Sequence, residues 1–270
     1  MFDESRYYYN RIVPRGTPTP PPLDLQTLNW RRLFFTEDLT MVGGAVTAWP
    51  GRPSTGTSGL ESAIGGNANA LGVPLNGIQT LQLNGVQAIG ATNNANAFNA
   101  TATPTNTLGA PSFFYFSVIN WNPAGAPNVS TPGTFYQNVC LFGDNNFRLK
   151  ATNRNGKAQI YYYDGTLGGV ECDMPNSQWS LILARSRLDP GLGNTLTEIR
   201  CGSAGLWIPS VRTLPVAAAI QGPIAIGDAS GSGALWRGMT AAFGCGYEWR
   251  DNTVSDAIIA SLSAKYNTAF

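Results

Sequence analysis

Residues 112–119 read Ser-Phe-Phe-Tyr-Phe-Ser-Val-Ile. The run is aromatic, β-branched and almost continuously apolar. A strand of this kind has no polar face to give to water, so it belongs in the middle of a sheet that is covered on both sides. Further layers are therefore required, and the rest of the chain supplies their strands. Gly44 to Trp49 ends at Pro50-Gly51. Ile78 to Ile89 alternates apolar and polar residues around Asn84-Gly85, a hairpin dipeptide. Asn138–Phe142 and Phe147–Ala151 flank the turn Gly143-Asp144-Asn145-Asn146, and Ala158–Tyr163 leads into Asp164-Gly165. Trp179–Ala184, Leu196–Arg200, Ile224–Gly227 and Met239–Tyr247 add more.

One helix is predicted, over Val254–Tyr266. There Val254, Ile258, Leu262 and Tyr266 recur every fourth residue as an apolar stripe. Asn252 or Thr253 can cap its start, with Asp256 near the positive end of the dipole and Lys265 near the negative end. About ten strands and one terminal helix make an all-β fold, a two-sheet antiparallel sandwich, the natural architecture.

Composition narrows the function. Charged residues are 12% of the chain, against about 25% in an ordinary domain. Gly, Asn, Thr, Ser and Pro take their place, as suits strands joined by many turns. The net charge is +1 and no Lys/Arg run occurs, so nucleic acid is not an expected partner. No apolar stretch reaches the roughly 18 residues that a membrane span needs, so no insertion is expected. Met1-Phe2-Asp3-Glu4-Ser5-Arg6 has acids where a secretion signal has bases, so the chain is expected to be made and kept in a cytoplasm or released by lysis. There is no histidine, which excludes His-based catalytic triads. Cys140, Cys172, Cys201 and Cys245 are widely spaced without a C-x-x-C, so no metal site is expected and the thiols read as small buried apolar groups. The Gly-rich run Gly227–Gly233 lacks a lysine and a βαβ setting, so it reads as a turn and no cofactor is expected.

Residues 1–24 differ from the remainder, 25–270. Arg6, Tyr7, Tyr8, Tyr9 and Arg11 form an aromatic and cationic patch, followed by Gly16-Thr17-Pro18-Thr19-Pro20-Pro21-Pro22. Successive prolines exclude helix and hold the segment extended. The segment reads as an anchoring arm, a frayed end being the alternative. Gly90–Gly109, rich in Asn, Ala and Thr, reads as a long surface loop.

The strand pattern over residues 40–268 resembles the concanavalin A-like lectin/glucanase superfamily, in its laminin-G-like form. The resemblance runs through Val46-Thr47-Ala48-Trp49, Leu83–Ile89, Phe113–Ile119 and Gln178–Arg185. It is most specific in the closing segment: Ile224–Gly227, Trp236–Met239, Cys245-Gly246-Tyr247, then Val254-Ser255-Asp256-Ala257 with Lys265-Tyr266. Where the family often carries a Glu, Ala241 and Ala242 stand. The resemblance implies a jelly-roll sandwich that binds sugars or cleaves them. Cleaving members use an E-x-D-x-x-E strand, whose carboxylates must come within about 5.5 Å for retention. Here Glu171-Cys172-Asp173-Met174-Pro175-Asn176 has an amide at the third place, so no catalytic residue is expected.

Sugar binding needs an exposed aromatic face beside planar polar groups. The candidates are Trp121 with Asn122, the turn of Asp144 and Asn146, and Tyr162 before Asp164. The alternative is that the rings are core and the Asn residues form turns. The expected function is a non-enzymatic virion component, a bacteriophage head decoration, head fibre or tail adhesin. The arm would dock it to other virion proteins, cell-surface glycans would be possible ligands, and a homo-oligomer such as a trimer is expected. A free carbohydrate-binding module is the alternative, and a degenerate glycosidase the third reading.

Overall fold

The computed structural model describes residues 22–30, 32–52, 62–64, 70–84, 112–121, 136–142, 147–152, 157–163, 167–173, 175, 177–189, 194–202, 205–212, 225–226, 237–246 and 248–270. In chain order the strands are β1 (Arg32–Phe35), β2 (Thr40–Val42), β3 (Ala45–Pro50), β4 (Ser62–Ile64), β5 (Ala70–Leu71) and β6 (Leu81–Asn84). Then come β7 (Phe113–Trp121), β8 (Tyr136–Phe142), β9 (Phe147–Thr152), β10 (Lys157–Tyr163), β11 (Leu167–Asp173) and β12 (Trp179–Asp189). The last are β13 (Asn194–Cys201), β14 (Ile208–Arg212), β15 (Ala225–Ile226) and β16 (Arg237–Gly246), followed by helix α1 (Asn252–Tyr266).

The main sheet runs β14-β13-β12-β7-β16-β6-β5, with β1 also paired to β16. A second sheet runs β11-β10-β9-β8-β15, and a small third runs β2-β3-β4. Every pairing is antiparallel. The fold is the antiparallel β-sandwich with one C-terminal helix that the strand pattern predicts.

The aromatic run sits where its composition requires. β7 lies between β12 and β16, and Phe114 to Ile119 are all buried. Alternation divides its side chains between two faces. Phe114, Phe116 and Val118 join Leu181 and Leu183 of β12 and Ile258, Ile259, Leu262 and Tyr266 of α1 in one core cluster. The opposite face continues through ring contacts. Tyr115 lies 5.3 Å from Phe243, Phe243 lies 6.0 Å from Phe34, and Phe34 lies 5.5 Å from Trp49 of β3. The third sheet is tied to the main one by this aromatic chain. At the β7–β16 crossing Gly244 opposes Phe116, and a Cβ at Gly244 would stand 2.3 Å from the Phe116 ring. Only glycine lets the ring lie flat on the neighbouring strand.

Two local details differ from expectation. The helix is capped by Asp251, not by Asn252 or Thr253: the Asp251 carboxylate accepts from the Val254 N–H at 2.9 Å. Asp251 wins because the helix starts at Asn252, two residues before the predicted Val254, which puts the Asp251 carboxylate over the first turn. An unexpected Asn-Gly turn lies at Asn76-Gly77. Both residues have positive φ, 47° and 85°, and Leu75 bridges to Ile78 across them. Asn84 ends β6, and the rest of the hairpin expected at Asn84-Gly85 falls on residues outside the described part.

Candidate functional site

At one end of the sandwich the second sheet meets the main sheet, where β11 packs against β13 and β14. β11 ends at Asp173, and Pro175, which cannot donate to a ladder, keeps it from continuing. Ser177 takes the left-handed conformation, φ 56°, and its N–H binds the Trp121 carbonyl at 2.7 Å. The chain then enters β12 at Trp179. On the far side β13 ends at Cys201, and Gly202 turns the chain with φ 66°. The Gly202 N–H binds the Leu181 carbonyl at 2.8 Å. Arg200 fixes this turn to the helix, since its Nε donates to the Gly202 carbonyl at 3.0 Å and its Nη1 to Asp256 at 2.7 Å.

These chain ends enclose an open cleft of about 640 Å³. Its apolar wall includes the half-buried Trp179 and Phe270 and the exposed Ile208 and Leu206. Its polar rim carries Asp173 and Gln178, both exposed. Cys172 and Cys201 also line it. The neighbouring Cys172 holds the Cys201 thiol below the usual thiol pKa, against a burial that acts the other way. The arrangement offers an apolar surface with a carboxylate and an amide beside it. Such a site can receive a ligand with one apolar face and a polar edge.

A second, shallower hollow of about 340 Å³ lies between β12 and the start of α1. Arg185 is held there between the rings of Trp207 and Trp249, 3.8 and 4.4 Å from their centroids. Its Nε pairs with Glu198 at 2.7 Å and its Nη1 donates to the Arg250 carbonyl at 3.0 Å. These contacts use Arg185 up as a bracket between loops. Arg187, exposed, lies 4.4 Å from the same Trp249 ring.

The sequence candidates fall differently. Trp121 does not present a free ring: it is 2% exposed, as the last residue of the central strand. The apolar run extends through it, and the Ser177 turn closes over its carbonyl. Asn122, Asp144 and Asn146 lie outside the described residues, as do Arg6, Tyr7, Tyr8, Tyr9 and Arg11. Tyr162 sits in β10, paired with Phe147 and Gly168, and its side chain lies outside the described part. Glu171 and Asp173 share β11 as alternating residues, and Asp173 reaches the cleft. Among the described residues no group of three His, Cys, Asp or Glu converges to hold a metal, and no helix is long and apolar enough to cross a membrane. Gln178, Trp179 and Phe270 were not read as site residues. The available signals were Pro175 and Gly202, which end two strands side by side.

No family model matches the chain, and no curated protein does. Solved structures do. The receptor-binding domain of botulinum neurotoxin type G matches with a TM-score of 0.51 and 10% identity, over 89% of this chain and 51% of that one. The binding domain of Paraclostridial Mosquitocidal Protein 1 matches with a TM-score of 0.52 and 8% identity, over 87% of this chain and 52% of that one. The chain thus spans about half the length of these two toxin domains. Domain 4 of AbnA, a GH43 extracellular arabinanase from Geobacillus stearothermophilus solved with arabinotriose, matches with a TM-score of 0.48 and 12% identity, over 85% of this chain and 98% of that one. At these identities the likeness is one of fold, a β-sandwich.

Proposed function

We propose that the chain is a non-enzymatic carbohydrate-binding module whose sugar site is the cleft at the ends of β11, β12 and β13. One observation carries the reading: Trp179, Gln178 and Asp173 stand together on the rim of an open cleft of about 640 Å³. A pyranose or furanose ring has an apolar C–H face and a belt of hydroxyls. An indole can take the face. The Gln178 amide can donate to and accept from a hydroxyl, and the Asp173 carboxylate accepts from one. The volume falls in the range of small-ligand sites and suits one or two sugar units.

The toxin domains of like fold are named as binding domains. That supports recognition rather than turnover as the role of this sandwich.

The test is a glycan array probed with the purified chain and with Trp179→Ala. Binding to a defined glycan that the variant loses by tenfold or more is expected, since a stacked ring contributes about 1.4 kcal/mol or more. Because Trp179 also packs against the core cluster, the thermal midpoint of the variant is measured alongside. Absence of binding to every glycan would refute the proposal.

A further inference from the structure

We propose that Cys172 and Cys201 are a disulfide-forming pair, a thiol modification site in the cleft wall that links the two sheets on reaction with a low-molecular-weight disulfide. Cys172 belongs to β11 of the second sheet, and Cys201 is the last residue of β13 in the main sheet. The two strands pack against each other, and both thiols line the same cleft. Alternation places each thiol on the inner face of its strand. Cys172 follows the buried Val170 by two residues, and Cys201 follows the buried Ile199 by two. The side chains therefore approach from opposite sheets at one cleft, and Cys172 is the largest influence on the Cys201 thiol. Both are free thiols.

They differ in access, which orders the chemistry. Cys172 is 3% exposed, whereas Cys201 is half-buried at the cleft. The neighbouring Cys172 favours the thiolate of Cys201. The Cys201 thiolate attacks one sulfur of the small disulfide. A protein–small-thiol mixed disulfide forms and one small thiolate leaves. The Cys172 thiolate then attacks the Cys201 sulfur, the protein disulfide forms, and the second small thiolate leaves. The protein pair loses two electrons and two protons, and the small disulfide is reduced to two thiols. Cys245, fully buried in β16 and absent from the cleft wall, is the internal control.

This pair does not depend on what the cleft binds. The experiment takes the reduced full chain, incubates it with oxidised glutathione, blocks remaining thiols under denaturing conditions and maps the peptides by mass. The expected result is a crosslinked peptide joining Cys172 to Cys201, with Cys245 blocked as a free thiol. Cys172→Ser should instead retain one glutathione on Cys201, and Cys201→Ser should form no crosslink and take up no glutathione. The thermal midpoint of the oxidised wild type should rise by about 5 °C over the reduced form. The wild type alone is decisive if a variant fails to fold. Glutathione held on Cys201 without a crosslink, no reaction at either thiol, or a crosslink to another cysteine would each overturn the pair.

Discussion

Tyr266 shows how one residue can serve two roles. Its ring closes the core cluster under β7 and β12, and its hydroxyl donates to the Ala241 carbonyl at 3.0 Å. Burial pushes the phenol well above its ordinary pKa of about 10, and the nearby Glu37 carboxylate adds to this. The folded state therefore holds the proton more tightly than the unfolded chain. Stability from this group is complete below about pH 10 and is lost as the pH rises above it. Tyr266→Phe should lower stability at neutral pH by about 1 kcal/mol through the lost hydrogen bond. The same variant should flatten the alkaline fall. Denaturant titrations at pH 8 and at higher pH check both effects. Glu198 tests a different balance. Its carboxylate and the Arg185 guanidinium are both largely buried, with 13% and 6% of their side chains exposed. Glu198→Ala leaves a buried cation without its partner and should cost about 3 kcal/mol by urea unfolding. A loss under 1 kcal/mol would show that the Trp207 and Trp249 rings and the Arg250 carbonyl hold Arg185 without the carboxylate.

Among the elements, the long strands and the helix were legible in the residues. β7, β9, β10, β12, β13, β16 and α1 carry enough periodic or β-branched residues to be placed to within a few positions. β1, β2, β4, β5, β11 and β14 were not anticipated. Arg32–Phe35 is short, and what makes it a strand is a partner far along the chain, β16. No local pattern encodes such a pairing. The helix cap was missed by one residue for a similar reason, because three polar residues in a row, Asp251, Asn252 and Thr253, can each cap. The geometry makes a clear forecast. Asp251→Ala should cost about 1 kcal/mol, while Asn252→Ala should change stability by less than about 0.5 kcal/mol. Thermal unfolding of the two variants side by side decides between them.

For the whole molecule, the sandwich was readable and the cleft was not. The aromatic run demanded cover on both faces, and the structure supplies it with α1 on one side and the Tyr115–Phe243–Phe34–Trp49 chain on the other. The cleft is assembled from separated pieces: the end of β11, the start of β12, the turn after β13 with the start of β14, and residues 269–270. Only the sheet packing brings them together. Trp121 looked like a sugar platform because it sits beside Asn122, yet strand alternation and the adjoining turn bury it. Trp179, set in an apolar strand that reads as core, is the tryptophan that lines the cleft. The central claim is that this cleft, and not the Arg187–Trp249 hollow, receives a sugar. It is tested most directly by calorimetric titration of the array-selected oligosaccharide into the wild type, Gln178→Ala and Arg187→Ala. Binding should weaken tenfold or more in Gln178→Ala and stay unchanged in Arg187→Ala; full affinity in Gln178→Ala with loss in Arg187→Ala would place the sugar in the other hollow and rule this cleft out.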